Sequence, residues 1–395
     1  MSSVLNTPMR GSPVLIMAGG TGGHVFPALA IARALRLRNE SVVWLGTERG
    51  LESRVVPADG IPLHRIRVRG LRGKGILSWL AAPLRVVIAI SDAWRVVRRC
   101  RPKVVLGMGG YTAGPGGLAA WLLRRPLVIH EQNAVAGLTN RLLARFAREV
   151  LEAFPGSFSA SRESSLNTRV TGNPVRADIA ALPAPASRFA DRRGPLRLLV
   201  LGGSQGAQAL NTAVGPAIAL LPAAQRPAIR HQAGATTQAV AETAYANAGV
   251  TAAIHPFIED MAEAYGWADV VLARSGALTV AELAAAGVAA ILVPFPAAVD
   301  DHQTRNAAYL VDAGAATLLP QSELTPERLA AELKPYLDQR ELALARAERA
   351  RALARPDATS LIVDACLAAA LGSGSSRHQN KPGQNKSGQR SDADA

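Results

Sequence analysis

One histidine, His24, follows a glycine-rich stretch near the start of the chain, and its imidazole could transfer a proton near neutral pH. Four glycines lie between positions 19 and 23, after an apolar run at 14–17 that predicts a buried strand. Pro27 fits the first turn of a helix that continues over 28–35. Such a strand, turn and helix would direct backbone N–H groups at one point, which suits a phosphate or diphosphate. A simpler alternative is that His24 only supports the turn.

A second polar group consists of His130, Glu131, Gln132 and Asn133, directly after an apolar run that begins at Leu127. Open α/β sheets bind their ligands at the carboxyl ends of the strands. One polar residue there could be a helix cap, but four in succession favour a binding or catalytic site.

A third group surrounds Glu282. The sequence predicts a turn over Arg274–Leu278 and a helix over Thr279–Ala286, with Glu282 in its first turn. A carboxylate at that position could accept hydrogen bonds from two ribose hydroxyls. The more common case for a single acidic residue there is a surface side chain that complements the helix dipole.

These groups belong to repeated units of strand, glycine-rich turn and helix. Such units begin at 14, at 196 and, in a shorter form, at 104. Two units a domain length apart predict two α/β domains that face each other across a cleft. The alternative is one NAD-binding domain followed by a substrate domain, but the first and second turns both lack the GxGxxG spacing.

The predicted organisation has six parts. They are a flexible N-terminus at 1–12, a first domain at 13–176, a linker at 177–195, a second domain at 196–355, a helix at 357–371 and a disordered tail at 372–395.

The overall composition narrows the class of protein. Of the 395 residues, 49% are hydrophobic and 4% aromatic, which fits layers of helix and parallel sheet. Cys100 and Cys366 lie far apart in helical contexts and form no metal or redox pattern, so we expect a reduced, cytoplasmic protein. Residues 1–13 lack the apolar core of a signal peptide, and the long uncharged runs are broken by Gly or Pro.

The net charge of +14 predicts an anionic partner. Segment 65–103 holds eleven Lys or Arg residues and one acid, Asp92. An ordinary core helix with a solvated basic face is the common explanation. The apolar side chains among these cations instead favour a surface that touches anionic lipid without spanning it. The predicted contact residues are Ile76, Leu77, Trp79, Leu80, Arg72 and Lys74. Nucleic acid is disfavoured, because no motif that stacks on bases or reads a groove accompanies the charge.

The motifs together resemble those of the MurG family. They are GGTGGHVFPALA, GLRGKG, GMGGYTAGPGGLAAW, HEQN, GLTN, GNPVR, LGGSQGA, RSGALTVAE and DDHQTRNA. The resemblance covers roughly residues 13–370 with order and spacing preserved. The chain departs from the family pattern in two places, a somewhat long stretch at 156–170 and the tail after 371. It implies a GT-B architecture, with two Rossmann-like doubly wound domains and a last helix that returns to the first domain. It also implies the transfer of N-acetylglucosamine from UDP-N-acetylglucosamine to the lipid-linked muramyl pentapeptide, lipid I, which makes lipid II for peptidoglycan.

The resemblance also implies roles for individual residues. Glu282 would hold the ribose, Ile258 the uracil through its backbone, and Gln303, Asn306 and Asn133 the sugar. The diphosphate would contact Ser204, Gln205 and the turn at Ser275–Thr279. The remaining donor-site residues are Thr21, Gly22, Gly23, Arg176, Arg274, Ala277, Leu278, Val280 and Ala281. The acceptor-site residues are Gly109, Gly110, Tyr111, His130 and Asn140.

The implied reaction is an inverting displacement, in which the muramyl 4-hydroxyl attacks the anomeric carbon while UDP leaves. His24 is the first candidate base and Glu131 the second. The only DxD sequence lies in the tail, so helix N-termini and Arg274 would replace a metal, and no cofactor is expected. The expected partners are the two substrates, an anionic membrane surface and other proteins of cell-wall synthesis, at the cytoplasmic face of the inner membrane.

Two other kinds of function would account for part of these motifs. A diacylglycerol glucosyltransferase or a UDP-N-acetylglucosamine 2-epimerase would share the donor half, but GMGGY and HEQN disfavour both. A catalytically silent membrane-docking or nucleic-acid-binding module would explain the charge but not the repeated turns.

Overall fold

The computed structural model describes residues 11–68, 82–159, 166–203 and 206–372. The predicted membrane contacts at 72–80, together with Ser204 and Gln205, lie outside these ranges. Most of the predicted flexible N-terminus and nearly all of the predicted tail also lie outside them.

Two parallel sheets form the described structure. The first has seven strands in the order β3-β2-β1-β4-β5-β6-β7. The strands are β1 (Val14–Met17), β2 (Val42–Gly46), β3 (Leu63–Arg65), β4 (Val104–Gly107), β5 (Leu127–Glu131), β6 (Glu149–Glu152) and β7 (Thr168–Val170). The helices of this half are α1 (Gly22–Leu37), α2 (Glu52–Ala58), α3 (Ala82–Cys100), α4 (Ala113–Leu122) and α5 (Leu138–Ala144).

The second sheet has six strands in the order β10-β9-β8-β11-β12-β13. They are β8 (Arg197–Leu201), β9 (Ala228–Gln232), β10 (Ala253–His255), β11 (Val270–Ala273), β12 (Ala289–Leu292) and β13 (Ala316–Leu318). The helices that follow β7 are α6 (Ala177–Ala180), α7 (Pro185–Phe189), α8 (Gln208–Ala219), α9 (Gln238–Asn247), α10 (Met261–Trp267), α11 (Ala277–Ala286), α12 (His302–Val311), α13 (Pro326–Asp338), α14 (Arg340–Ala352) and α15 (Ala358–Ala370).

Both faces of each sheet are covered by helices, which explains why the central strands are apolar throughout. On the first sheet, alternate residues of β1 point to opposite cores. Ile16 packs with α1 and α15, whereas Leu15 packs with α3 and α4. Helix α15, the last described helix, therefore completes the core of the first sheet. This arrangement confirms the predicted pair of doubly wound α/β domains.

Two predicted helix starts were wrong. Helix α1 begins at Gly22, so Gly22, Gly23 and His24 form its first turn and Pro27 is interior. The missing Pro27 N–H leaves the Gly23 carbonyl without its helical donor, and this is tolerable because Gly23 is exposed. Helix α11 begins at Ala277, two residues before the predicted start, after the extended Gly276.

No helix among the described residues is long and apolar enough to cross a membrane.

Candidate active site

The imidazole of His24 lies at the carboxyl ends of the central strands of the first sheet. It is half-buried, and its Nδ1 is 2.8 Å from the side-chain oxygen of Gln132, which follows β5. The ring also lies against Gly109, where an added Cβ would sit 3.1 Å from its Cε1 atom. A side chain at Gly109 would therefore push the ring aside. The sequence-predicted His24, Gly109 and the 130–133 group do come together.

His130 lies behind this contact rather than on the surface of the cleft. It is fully buried, and its Nε2 is 3.0 Å from the carbonyl oxygen of Gly172. Its Nδ1 is 3.0 Å from the amide nitrogen of Gln132. Burial lowers the pKa of His130 to about 4, so the ring is neutral near pH 7. His130 therefore supports Gln132 from within the core, and its contact with the acceptor stays a prediction.

The carboxylate of Glu131 is likewise buried and holds its own loop together. One oxygen accepts hydrogen bonds from the backbone and side-chain nitrogens of Asn133, at 2.9 and 3.2 Å. The other accepts from the Gly137 N–H at 3.1 Å and from the Asn140 amide at 2.8 Å. Asn140 is also buried, and its side-chain oxygen has no hydrogen-bond partner among the described residues.

A carboxylate from a neighbouring helix contacts the first glycine turn, and the sequence did not lead us to expect this contact. Glu52 is fully buried at the start of α2. It accepts hydrogen bonds from the Gly20 N–H at 3.0 Å and from the backbone N–H and hydroxyl of Thr47 at 2.9 and 2.7 Å. Gly20 has a φ of +95°, which favours glycine. Glu52 thus occupies the Gly20 N–H, which is then not available to an anion.

The third glycine turn packs directly on the first. An added Cβ at Gly110, whose φ is +79°, would lie 2.3 Å from the carbonyl oxygen of Gly19. The next residue, Tyr111, is exposed. Thr21 and Gly23 are exposed at the other turn. The two turns therefore form one continuous surface beside His24.

Asn133 and Asn306 connect the first half of the molecule with the second. Asn306 is fully buried, and its side-chain oxygen accepts from the Ala134 N–H at 2.8 Å. Its amide nitrogen is 3.3 Å from the Asn133 side-chain oxygen and 3.2 Å from the Ser275 carbonyl oxygen. A sugar that contacted Asn306 would have to take over some of these bonds.

The second half presents the N-terminus of α11. Ser275 is fully buried just before this helix, and its hydroxyl has no partner among the described residues. Glu282 lies in the second turn of α11 rather than in the predicted first turn, because the helix begins at Ala277. It is half-buried and accepts a hydrogen bond of 3.0 Å from the Tyr265 hydroxyl. Burial is the main cause that raises the pKa of Glu282, with the Tyr265 hydrogen bond acting in the opposite direction. Among their predicted neighbours, Ala277 and Val280 are buried, and Leu278, Thr279 and Ala281 are half-buried.

Arg274 is held by the loop after β12. Its guanidinium donates to the carbonyl oxygens of Val293 and Pro294 at 3.1 and 3.0 Å, and to the side chain of Gln321. It also lies over the Phe295 ring, 5.5 Å from the centroid. These contacts hold the Arg274 guanidinium in place, and its contact with a diphosphate stays a prediction.

Three further predicted residues also make contacts within the protein. The Ile258 N–H donates to the side chain of Gln232 at 3.0 Å. The Gln303 side-chain oxygen accepts from the Phe295 N–H at 2.8 Å. Arg176 precedes α6 and lies 3.8 Å from Asp178.

Metal ligands are not clustered in the described part of the chain, which contains no group of three His, Cys, Asp or Glu residues able to hold an ion. The candidate site consists of a half-buried imidazole, a buried serine at a helix N-terminus and a carboxylate in the second turn of that helix.

Comparison with known proteins gives the same two halves. Residues 14–152 match the glycosyltransferase family 28 N-terminal domain, and residues 197–362 match its C-terminal domain. A protein of Marinobacter nauticus is 58% identical over 358 residues, which are 91% of this chain and 98% of that protein. A protein of Alkalilimnicola ehrlichii is 59% identical over 355 residues, which are 90% of this chain and 98% of that protein. Both are named UDP-N-acetylglucosamine–N-acetylmuramyl-(pentapeptide) pyrophosphoryl-undecaprenol N-acetylglucosamine transferase.

A solved structure agrees with these relatives. The crystal structure of MurG of Acinetobacter baumannii is 44% identical, covers 90% of this chain and 99% of its own, and superposes with a TM-score of 0.78. The resemblance found in the motifs is thereby confirmed. The chain belongs to glycosyltransferase family 28 and, within it, to the MurG transferases.

Proposed function

We propose that the protein transfers N-acetylglucosamine from UDP-N-acetylglucosamine to the 4-hydroxyl of the muramyl sugar of lipid I. The names of the relatives support these substrates. The observation that carries the proposal is the position of His24, a half-buried imidazole within hydrogen-bond distance of Gln132. The loop that follows Gln132 contacts Asn306 of the second half, so His24 lies close to the junction of the two domains.

The donor would bind to the second half, at the N-terminus of α11. A helix N-terminus attracts a diphosphate through its N–H groups and its dipole. The buried Ser275 hydroxyl, which has no partner among the described residues, adds a donor at the same place. Glu282, held by Tyr265, would accept hydrogen bonds from the ribose hydroxyls.

The reaction would proceed in one displacement. His24 accepts the proton of the muramyl 4-hydroxyl as its oxygen attacks the anomeric carbon, and the bond from that carbon to the UDP oxygen breaks on the opposite face. General-base catalysis of this kind contributes about 10²–10⁴-fold. The charge that develops on the departing diphosphate would be stabilised by the α11 N-terminus.

Attachment to a membrane would bring the enzyme to its lipid-linked acceptor. Helices α3, α4 and α5 are neighbours on one face of the first sheet. They and the residues next to them carry exposed large apolar side chains, which are Leu84, Val86, Val87, Trp121, Leu122, Leu138, Leu142 and Phe146. The Trp121 and Phe146 rings are 4.6 Å apart. We propose that this apolar face and the preceding basic segment form a peripheral docking surface for anionic lipid at the cytoplasmic face of the inner membrane.

The test is a transfer assay with UDP-N-acetylglucosamine and a lipid I analogue that has a short, water-soluble lipid. We expect UDP release that requires the acceptor, together with a disaccharide product detected by mass spectrometry. UDP release at the same rate without the acceptor would contradict the proposal. Conversion of the donor sugar to its 2-epimer would identify the epimerase alternative instead.

A further inference from the structure

The orientation of the Gln132 side chain is fixed by an atom that can only accept hydrogen bonds. The Gln132 amide nitrogen lies 3.0 Å from the backbone carbonyl oxygen of His130. A flipped amide would place two oxygens against each other, so the NH₂ group must face this carbonyl. The amide oxygen therefore points in the opposite direction, toward Nδ1 of His24 at 2.8 Å.

This orientation determines where the proton of His24 lies. An amide oxygen can only accept, so Nδ1 of His24 must carry the hydrogen that bridges the two groups. In the neutral imidazole the lone pair is then on Nε2. Among the described residues, none is seen to hydrogen-bond that nitrogen, and the side chain is only half-buried. A lone pair on an accessible nitrogen is what a general base requires.

Gln132 is itself held from two other directions. His130 donates from Nε2 to the Gly172 carbonyl oxygen, which can only accept, so the neutral ring accepts from Gln132 at Nδ1. The backbone carbonyl oxygen of Gln132 accepts from the Asn173 amide at 2.9 Å. The contacts that orient Gln132 thus begin at residues 172 and 173, just beyond β7.

We propose that Gln132 is a positioning residue that keeps His24 in the tautomer with hydrogen on Nδ1 and a free lone pair on Nε2. This inference rests on the proposed function, because it assigns the partner of the base in that reaction. A neutral amide orients the ring without adding a negative charge beside substrates that both carry diphosphate. A carboxylate at the same position would also orient the ring, but it would repel those diphosphates.

The experiment combines a spectroscopic readout with steady-state kinetics. In protein labelled with ¹⁵N-histidine, the ring nitrogen signals of His24 are assigned from a His24→Gln sample. We expect the wild type to show the tautomer with hydrogen on Nδ1. Gln132→Leu removes the acceptor, so it should show a mixture of tautomers and a kcat lower by about 10–100-fold, with the donor KM changed by less than about twofold.

Gln132→Glu is the matched variant, because its carboxylate can still accept from Nδ1. It should restore the Nδ1–H signature and give a kcat between those of Gln132→Leu and the wild type, because its second carboxylate oxygen would face the His130 carbonyl oxygen, where Gln132 has its NH₂ group. A wild-type His24 with hydrogen on Nε2 would overturn the inference, even if Gln132→Leu failed to fold. A folded Gln132→Leu variant with wild-type kcat would also overturn it. If instead the wild type transferred no sugar, the proposed function would fail, and the nitrogen signals would still report the tautomer.

Discussion

The substitution Glu131→Gln separates the two candidate bases, because the structure assigns Glu131 to its own loop. Four N–H donors surround this carboxylate, two on each oxygen. An amide keeps only one oxygen, so its NH₂ group would face two of those donors. We therefore expect Glu131→Gln to lose two hydrogen bonds in a buried site and to place N–H groups against each other.

The size of the effect follows from these contacts. Hydrogen bonds to a charged group contribute about 1.5–3 kcal/mol each, so two lost bonds correspond to roughly 3–6 kcal/mol. The neutral amide avoids the cost of burying a charge, which reduces the net loss of unfolding free energy to about 3 kcal/mol. For a domain of this size, 1 kcal/mol shifts Tm by roughly 2–4 °C, so calorimetry should show a fall of about 6–12 °C. Glu149→Gln, at a half-exposed carboxylate on β6, is the control and should change little.

His24→Ala should behave in the opposite way. Its turnover in the UDP-release assay should fall by about 10²–10⁴-fold, whereas its Tm should stay near the wild-type value because the side chain is only half-buried. The reasoning is refuted if Glu131→Gln keeps the wild-type Tm and loses as much turnover as His24→Ala. Glu131 would then be the base. If turnover of His24→Ala holds and only the acceptor KM rises, His24 binds the acceptor.

Three further outcomes are expected. Glu282→Ala should weaken UDP binding by about 1.5–3 kcal/mol in calorimetry, and unchanged affinity would remove Glu282 from the donor site. His231 is bonded to Tyr245 and Asn211, and burial lowers its pKa to about 4. The unfolded chain therefore binds the proton first, and this residue's contribution to stability, about 2 kcal/mol, should be lost as pH falls from 7 to 5. The drop in Tm over that interval should be smaller in His231→Gln, and an equal drop would contradict the assignment. Binding to anionic vesicles should weaken as the salt concentration rises, because salt screens the surface charges. Changing Ile76, Leu77 and Trp79 to Ser should slow the reaction on membrane-borne acceptor but not on a water-soluble one. Equal losses of activity on both acceptors would reject the docking surface.

The fold was predictable because it depends on local patterns. The apolar runs at β1 and β8, each followed by glycines and a helix, identify two α/β units whatever the rest of the chain does. The helix starts were less predictable, since a glycine pair such as Gly22 and Gly23 is permissive and only tertiary packing decides whether it is helical.

The residues near the site were predictable from the sequence, but the hydrogen bonds between them were not. His24 and Gln132 are 108 positions apart, and Gly20 and Glu52 are 32 apart. No periodicity in the sequence indicates pairs at such separations. Glu52 gave one weak signal, an acidic residue at the start of a short helix, which is common for reasons unrelated to function. The contacts of Arg274 with the carbonyl oxygens of Val293 and Pro294, which follow β12, could not be predicted from the turn in which Arg274 lies.

Helix α15 has a consequence for how the protein is made. Ile362, Val363 and Cys366 fill the core between α1 and the first sheet, and they are among the last described residues to be synthesised. The ribosome must therefore complete the entire second half before the first can finish burying Ile16 and its neighbours, which also pack with α1. A nascent chain that stops near residue 355 would expose this apolar face, which makes it a candidate for chaperone binding during translation. The half that begins synthesis first is thus the half that finishes folding last.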